Sequence, residues 1–322
     1  MNMRTIRQKR KLLESRKVLR RIQMDYLLYI MLIPGIIYFV LFHYMPMYGV
    51  SIAFRDYNIV GGMDNAPWVG WEIFEKLFKR SAFRRAVSNN IRISLIKIFF
   101  GFPLPIMLSL ILGEVWSPRF RKVVQTTIIM PSFLSWFVVY GILVAMCNLS
   151  DGVIPSVTRA VNHHFGLSIP IVNFMTTKET FDGYMMITYI WKEIGMGTVV
   201  YLAAIIGVDR QLYEAASIDG AGRFKQILHV TLPCIRSVIV MQLIFRVGRV
   251  MNAGFDQMFA LSNSMVISRA DIIDTYVYRV GMEEAKFSLA TAAGLFKSFI
   301  GLVLVLTTNQ IARHVDPDSA IM

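Results

Sequence analysis

Long stretches without a single Asp, Glu, Lys or Arg recur along this chain, and they restrict its fold more than any other feature. The run Tyr26–Phe54 is one, and residues 123–150 form another. About 20 helical residues cross the roughly 30 Å hydrocarbon core of a bilayer. Backbone polar groups inside that core must be satisfied within the protein, and a helix does this segment by segment. With 55% hydrophobic residues, 12% aromatic residues and a mean hydropathy of +0.51, the chain reads as an all-α integral membrane protein.

The net charge of +13 raises nucleic acid as a partner. Nine of the 34 Lys and Arg, however, lie in the first 21 residues, directly before the first apolar run. A cluster so placed suits anionic lipid headgroups and keeps the N-terminus inside by the positive-inside rule, so no nucleic acid is expected. The run after it is too long for the apolar core of a cleaved signal peptide, so an uncleaved first span is expected.

Six transmembrane helices are expected, over 26–54, 91–112, 123–150, 184–208, 235–255 and 287–312, with a kink at Pro103 and Pro105. Residues 55–89, 151–183 and 256–286 read as external loops, and Arg119, Arg121 and Lys122 mark a short internal one. This count leaves both termini cytoplasmic. Cys147 and Cys234 then fall at opposite faces, where no disulfide joins them. The His163-His164 pair has no metal spacing, and no Gly-rich phosphate loop with Lys-Ser/Thr occurs. If ATP drives this protein, another subunit binds it.

Between spans four and five lies a polar island, residues 209–233. Asp209 is placed to cap a helix over 210–218, and Gly220 supplies the positive φ that a helix end often needs. Phe224, Ile227 and Leu228 then give one apolar stripe of a second helix. Pro233 is expected to end that helix before the next span.

The order Glu214-Ala215-Ala216, three residues, Gly220, nine residues, Val230, any residue, Leu232-Pro233 resembles the EAA loop of binding-protein-dependent ABC importer permeases. Only Val230 departs from that family's pattern, which has Ile there. More loosely, 53–58 (Ala-Phe-Arg-Asp-Tyr-Asn), Trp68-Val69-Gly70 and 89–94 (Asn-Asn-Ile-Arg-Ile-Ser) resemble the polysaccharide and oligosaccharide permeases of the carbohydrate-uptake group. The resemblance implies the type I importer permease fold in a bacterial cell membrane. It divides the chain into a basic tail (1–25), a first helix with its external loop (26–87), a permease core (88–312) and a C-terminal tail (313–322).

The partners it implies are a second homologous permease, two ATPase subunits that bind ATP and Mg, and an extracytoplasmic, lipid-anchored solute-binding protein. The chain itself would be non-catalytic and hold no cofactor. Glu214, Ala215, Ala216, Asp219, Gly220, Arg223, Phe224, Leu232 and Pro233 would dock the ATPase. Small side chains at Ala215 and Ala216 suit a helix lying deep in a groove.

Charges inside the expected spans are Lys97, Lys192, Glu193, Arg246, Arg249 and Lys297. At mid-bilayer each costs at least about 2.5–3.5 kcal/mol on insertion scales, so each is expected to face protein or a wet cavity. On a continuous helix, Arg246, Arg249, Asn252 and Asp256 make a polar stripe running outward along span five. Thr188, Trp191, Lys192, Gly195 and Thr198 offer a facing stripe on span four, with Glu193 beside it. Such a lining suits an oligosaccharide, and mutual ion pairing is the competing explanation. Ion-coupled transport and a membrane-embedded glycosyltransferase are the rival functions. For the enzyme the nearest acids are Asp271, Asp274, Glu283 and Glu284, which read as a solvated surface. Amino-acid and peptide importers share the loop.

Overall fold

The computed structural model describes residues 24–315, with side chains through residue 310. The tails expected at 1–25 and 313–322 lie almost wholly outside the described residues. Among the described residues the regular structure is helical, and the one β contact is an isolated bridge between Arg55 and Trp68.

Helix α1 (Tyr26–Phe39) runs on through a π turn and a 3-10 segment to Phe54, and none of its own residues is buried. Helices α2 (Glu72–Lys79), α3 (Ser81–Gly101) and α4 (Pro103–Gly113) follow. Then come α5 (Pro118–Ile129), α6 (Trp136–Cys147), α7 (Val153–Phe165) and α8 (Phe181–Ile206). The island holds α9 (Arg210–Ile218) and the helical run α10 (Arg223–Cys234), which leads into α11 (Arg236–Gly248). Three short helices, α12 (Phe255–Leu261), α13 (Ile267–Ala270) and α14 (Ile273–Tyr278), precede the long α15 (Phe287–Val315). Four helical runs are long and apolar enough to cross a membrane: Tyr26–Phe54, Ser81–Gly113, α8 and α15. Two bent pairs, α5–α6 and α10–α11, bring the number to six if each is one span.

Span two is interrupted at Phe102, directly before Pro103, where a kink is expected. Spans three and five are not the straight helices expected. The third bends by 98° between Phe133 and Trp136. Pro131 sits in a 3-10 turn there, and the Ser135 hydroxyl accepts from the Val138 N–H to start α6 afresh. The fifth bends by 63° at Ile235 and stops at Gly248. Pro233 does not end the preceding helix. A π turn over Ile227–Thr231 carries the chain past it, and the break comes two residues later. Proline lacks an N–H and crowds the preceding turn, and a widened turn relieves both.

The segments expected as loops are also folded. Residues 72–79 and 81–89 are helix, and Ile73, Phe74 and Leu77 of α2 are buried with Phe83, Ala86, Tyr276, Ala292 and Ala293 in one core cluster. A second cluster joins Ile93 and Met185 to Met258, Leu261, Val266 and Ile272. Residues 256–286 are therefore packed interior as much as outer surface. Of the four acids read as solvated, Glu283 and Glu284 are exposed, but Asp271 and Asp274 are tied down. Asp271 is 2% exposed and takes both Arg279 nitrogens, at 3.1 and 2.6 Å. Asp274 accepts from Lys297 at 2.5 Å. Glu284 accepts from Lys286, and that hydrogen bond holds its pKa below the ordinary carboxylate value.

Helix α8 forms the centre of the packing, against α4 on one side and α5 on another. Gly195 makes the second approach: a Cβ there would lie 2.1 Å from the Ile128 carbonyl oxygen. The backbones touch because no side chain intervenes.

Candidate functional site

Two regions carry the residues singled out above, and they lie at different parts of the fold. The first is the island. The Asp209 carboxylate accepts from the Gln211 N–H at 3.0 Å and starts α9. At the other end the Gly220 N–H donates to Ser217 O and the Ala221 N–H to Ala216 O, at 3.1 and 2.9 Å. That double bond with Gly220 at φ +77° is a Schellman cap, which turns the chain sharply after one short helix. Side chains then brace α9 against α10. Tyr213 and Thr231 hydroxyls meet at 2.9 Å, and Gln226 donates to Ser217 Oγ and to Ala221 O. Arg223 Nη1 reaches Glu114 Oε2 at 2.6 Å, tying the island to the end of α4.

The braced hairpin leaves apolar side chains bare. Ile218 is 87% exposed and Phe224 77%. Glu214, Ala215, Asp219 and Pro233 are also exposed, while Ala216 and Leu232 are half-buried. Exposed apolar side chains grouped on a polar hairpin make this a candidate contact surface.

The second region is a cavity of about 420 Å³ between α3, α8 and the end of α11. Its polar lining is Ser94, Lys97, Tyr189, Glu193, Gln242, Arg246, Arg249 and Asn252. Four of the expected lining residues, Glu193, Arg246, Arg249 and Asn252, are therefore brought together. The others are not. Helix α11 ends at Gly248 and the chain loses helical form before α12, so the stripe from Arg246 to Asp256 does not continue. Asp256 is exposed in the first turn of α12, outside the cavity. Lys192 is buried the other way, donating to Ser132 O at 3.0 Å and to Glu193 at 3.4 Å, beside the Trp136 ring. Trp191 lines a separate, almost wholly apolar cavity of about 630 Å³ between α6, α7 and α8. Thr188, Gly195 and Thr198 are buried packing residues.

The face of α8 that does line the polar cavity is Tyr189, Glu193, Met196, Gly197 and Val200. It has the same helical spacing, rotated by about one residue, and the sequence offers Tyr189 and Glu193 at i, i+4 as its signal. Lys97 was legible as an intramembrane charge but not as a lining residue. Its ammonium donates to Ala253 O at 2.7 Å and sits 4.6 Å from the centre of the Tyr189 ring. Arg246 Nη1 meets the Tyr189 hydroxyl at 3.4 Å and lies over Phe102. The Arg249 side chain has no hydrogen-bond or ion-pair partner among the described residues. Among those residues no group of three or more His, Cys, Asp or Glu could hold a metal.

The chain is similar to known membrane transport proteins over nearly all its length. It is 40% identical to protein LplB of Bacillus subtilis, over 91% of each chain. It is also 40% identical to the polygalacturonan/rhamnogalacturonan transport system permease protein YteP of the same organism, over 93% of this chain and 91% of YteP. A subunit of a bacterial ABC transporter involved in the import of the acidic polysaccharide alginate superposes with a TM-score of 0.85 at 37% identity, over 93% of this chain and 99% of that one. The alginate transporter has also been solved in complex with alginate pentasaccharide-bound periplasmic protein; there a chain superposes at 0.83 with 38% identity, over 92% of this chain and 97% of that one. Residues 105–320 match the family model of the binding-protein-dependent transport system inner membrane component. The chain is a multi-pass membrane protein with the type I ABC importer permease fold, and it belongs to that family.

Proposed function

We propose that this chain forms one half of the translocation pathway of an ATP-driven importer of oligosaccharides. A second permease forms the other half, a solute-binding protein delivers cargo from outside, and two ATPase subunits bind ATP and Mg on the cytoplasmic side. The observation that carries the reading is the α9–α10 hairpin, whose capped turn holds Glu214, Ala215, Ile218 and Phe224 exposed together. Small residues on α9 let its backbone sit deep in a groove of the ATPase, where Glu214 pairs with a basic residue. Because α10 runs to Cys234 and meets α11 at the Ile235 bend, closure of the ATPase dimer moves span five directly.

Residues 88–312 are the transporting core in this scheme, with termini and hairpin cytoplasmic. Glu193, Arg246, Arg249 and Asn252 line its path with Lys97 and Tyr189. Sugar import is supported by the transport proteins it is similar to, and membership of a binding-protein-dependent family argues against an ion-coupled carrier.

The test is uptake in cells carrying Glu214→Lys or Gly220→Val. Both are expected to abolish sugar uptake and to release the ATPase from purified complexes, with the chain still inserted at wild-type level. Uptake at the wild-type rate in both variants would sink the coupling role.

A further inference from the structure

The charge on the cavity wall is unbalanced. Three basic side chains line it, Lys97, Arg246 and Arg249, against one carboxylate, Glu193. That carboxylate is already engaged by buried Lys192 at 3.4 Å. Lys97 is held by the Ala253 carbonyl and the face of Tyr189, and Arg246 by the Tyr189 hydroxyl. None of these partners carries a negative charge. Arg249 has no side-chain partner among the described residues. Five residues before Lys97 on α3, Arg92 shares Asp182 with Arg269, both at 3.1 Å, which again sets two cations on one anion.

Cations at a helix C-terminus are normally stabilised by the dipole, and Arg246 and Arg249 stand at the end of α11. That end carries only about half a negative charge, which leaves most of two guanidinium charges uncompensated. Charges inside a membrane pair with one another or with backbone carbonyls, or mark a substrate or ion pathway. A neutral sugar can be served by the amides and hydroxyls present, Gln242, Asn252, Ser94 and Tyr189, and can accept from the arginines, but it leaves their charge uncompensated. A carboxylate, in contrast, takes a guanidinium through paired, charge-assisted hydrogen bonds. The cavity volume of about 420 Å³ lies within the range that holds a small ligand.

We propose that the cargo of this cavity is an acidic oligosaccharide, a short chain of hexuronates, whose carboxylates are taken by Arg249 and Arg246. The inference rests on the importer reading and names its substrate class. Lys97, locked against Ala253 and Tyr189, stands behind the two arginines. Two of the similar proteins, named for alginate and for polygalacturonan/rhamnogalacturonan, handle acidic glycans.

The experiment uses the whole importer in cells whose own copy of this chain is replaced by wild type, Arg249→Gln, Arg246→Gln or Arg249→Lys. Uptake of labelled oligogalacturonates and alginate oligomers is compared with neutral galactan and xylan oligomers of equal length. Wild type is expected to import an acidic set in preference to the neutral ones. Each Gln variant is expected to lower acidic uptake about tenfold or more, and Arg249→Lys to retain more than Arg249→Gln. The chain's membrane level and its association with the second permease should stay unchanged.

Wild-type import of neutral oligomers alone overturns the substrate class and leaves the importer reading standing. Failure to import any sugar removes both. Undiminished acidic uptake in both Gln variants overturns the arginine site. Loss of the second permease from the Gln variants also overturns it, because the guanidinium groups then pair across the subunits.

Discussion

Asp271 shows how much a single side chain can hold in this protein. It is nearly inaccessible, and it binds Arg279 through both oxygens while also accepting from the Thr275 hydroxyl. Around it Asn89 donates to the Asp271 and Ser268 carbonyls, so α3 is fastened to the α13–α14 turn. Removing one member of a buried pair leaves the other charge uncompensated, at about 3–5 kcal/mol. Arg279 keeps a quarter of its side-chain surface in solvent, which places the cost near the lower end. Asp271→Ala is expected to destabilise the chain by about 3 kcal/mol, read as a fall of several degrees in thermal unfolding in detergent. Asp271→Glu should restore part of it. The sequence showed this residue only as one acid among four between two spans, since its role depends on α14 folding back onto α3.

At the scale of elements, what marks a helix decides how well it was legible. Spans two, four and six stand out because their apolar runs exceed a bilayer's thickness, and α9 stood out through Asp209 and Gly220. Helices α12, α13 and α14 carry no such mark. They are short and mixed in composition, and they are held helical by burying Met258, Leu261, Ala270, Ile273 and Tyr276 rather than by propensity. The bends of spans three and five were foreshadowed only by Pro131 and Pro233, and proline indicates a disturbance without its angle. The cavity was half legible for the same reason. Arg246 and Arg249 are intramembrane charges in any reading, but the expected span runs on past Gly248, where α11 ends.

Pro233 itself gives a prediction at this scale. With Pro233→Ala, the missing N–H returns and the π turn over Ile227–Thr231 can tighten to α-helix. Losing one residue per turn's worth of slack rotates α11 against the hairpin by about 100°. The ATPase is expected to stay bound while sugar uptake falls several-fold. Copurification paired with transport separates this outcome from simple misfolding.

For the whole molecule, orientation is the property that ties hairpin, cavity and cargo to two sides of a membrane. Two free cysteines report on it, one buried at Cys147 and one exposed at Cys234, beside the hairpin. In intact cells a membrane-impermeant maleimide is expected to leave Cys234 unlabelled, and permeabilisation should expose it to rapid reaction. Labelling in intact cells would invert the assignment of sides. Cys147 should react slowly in both conditions, because the protein covers it.

The 63° elbow at Ile235 turns the hairpin into the short arm of a bell crank. A rod of twelve residues is about 18 Å long. A sideways push of about 2 Å at its free end, typical of helix shifts at interfaces, swings it by about 6°. Across an elbow that push becomes tilt, so Arg246 and Arg249 at the far tip sweep laterally. In the proposed importer, the stroke that opens the way out is expected to loosen the grip on an anionic cargo as well.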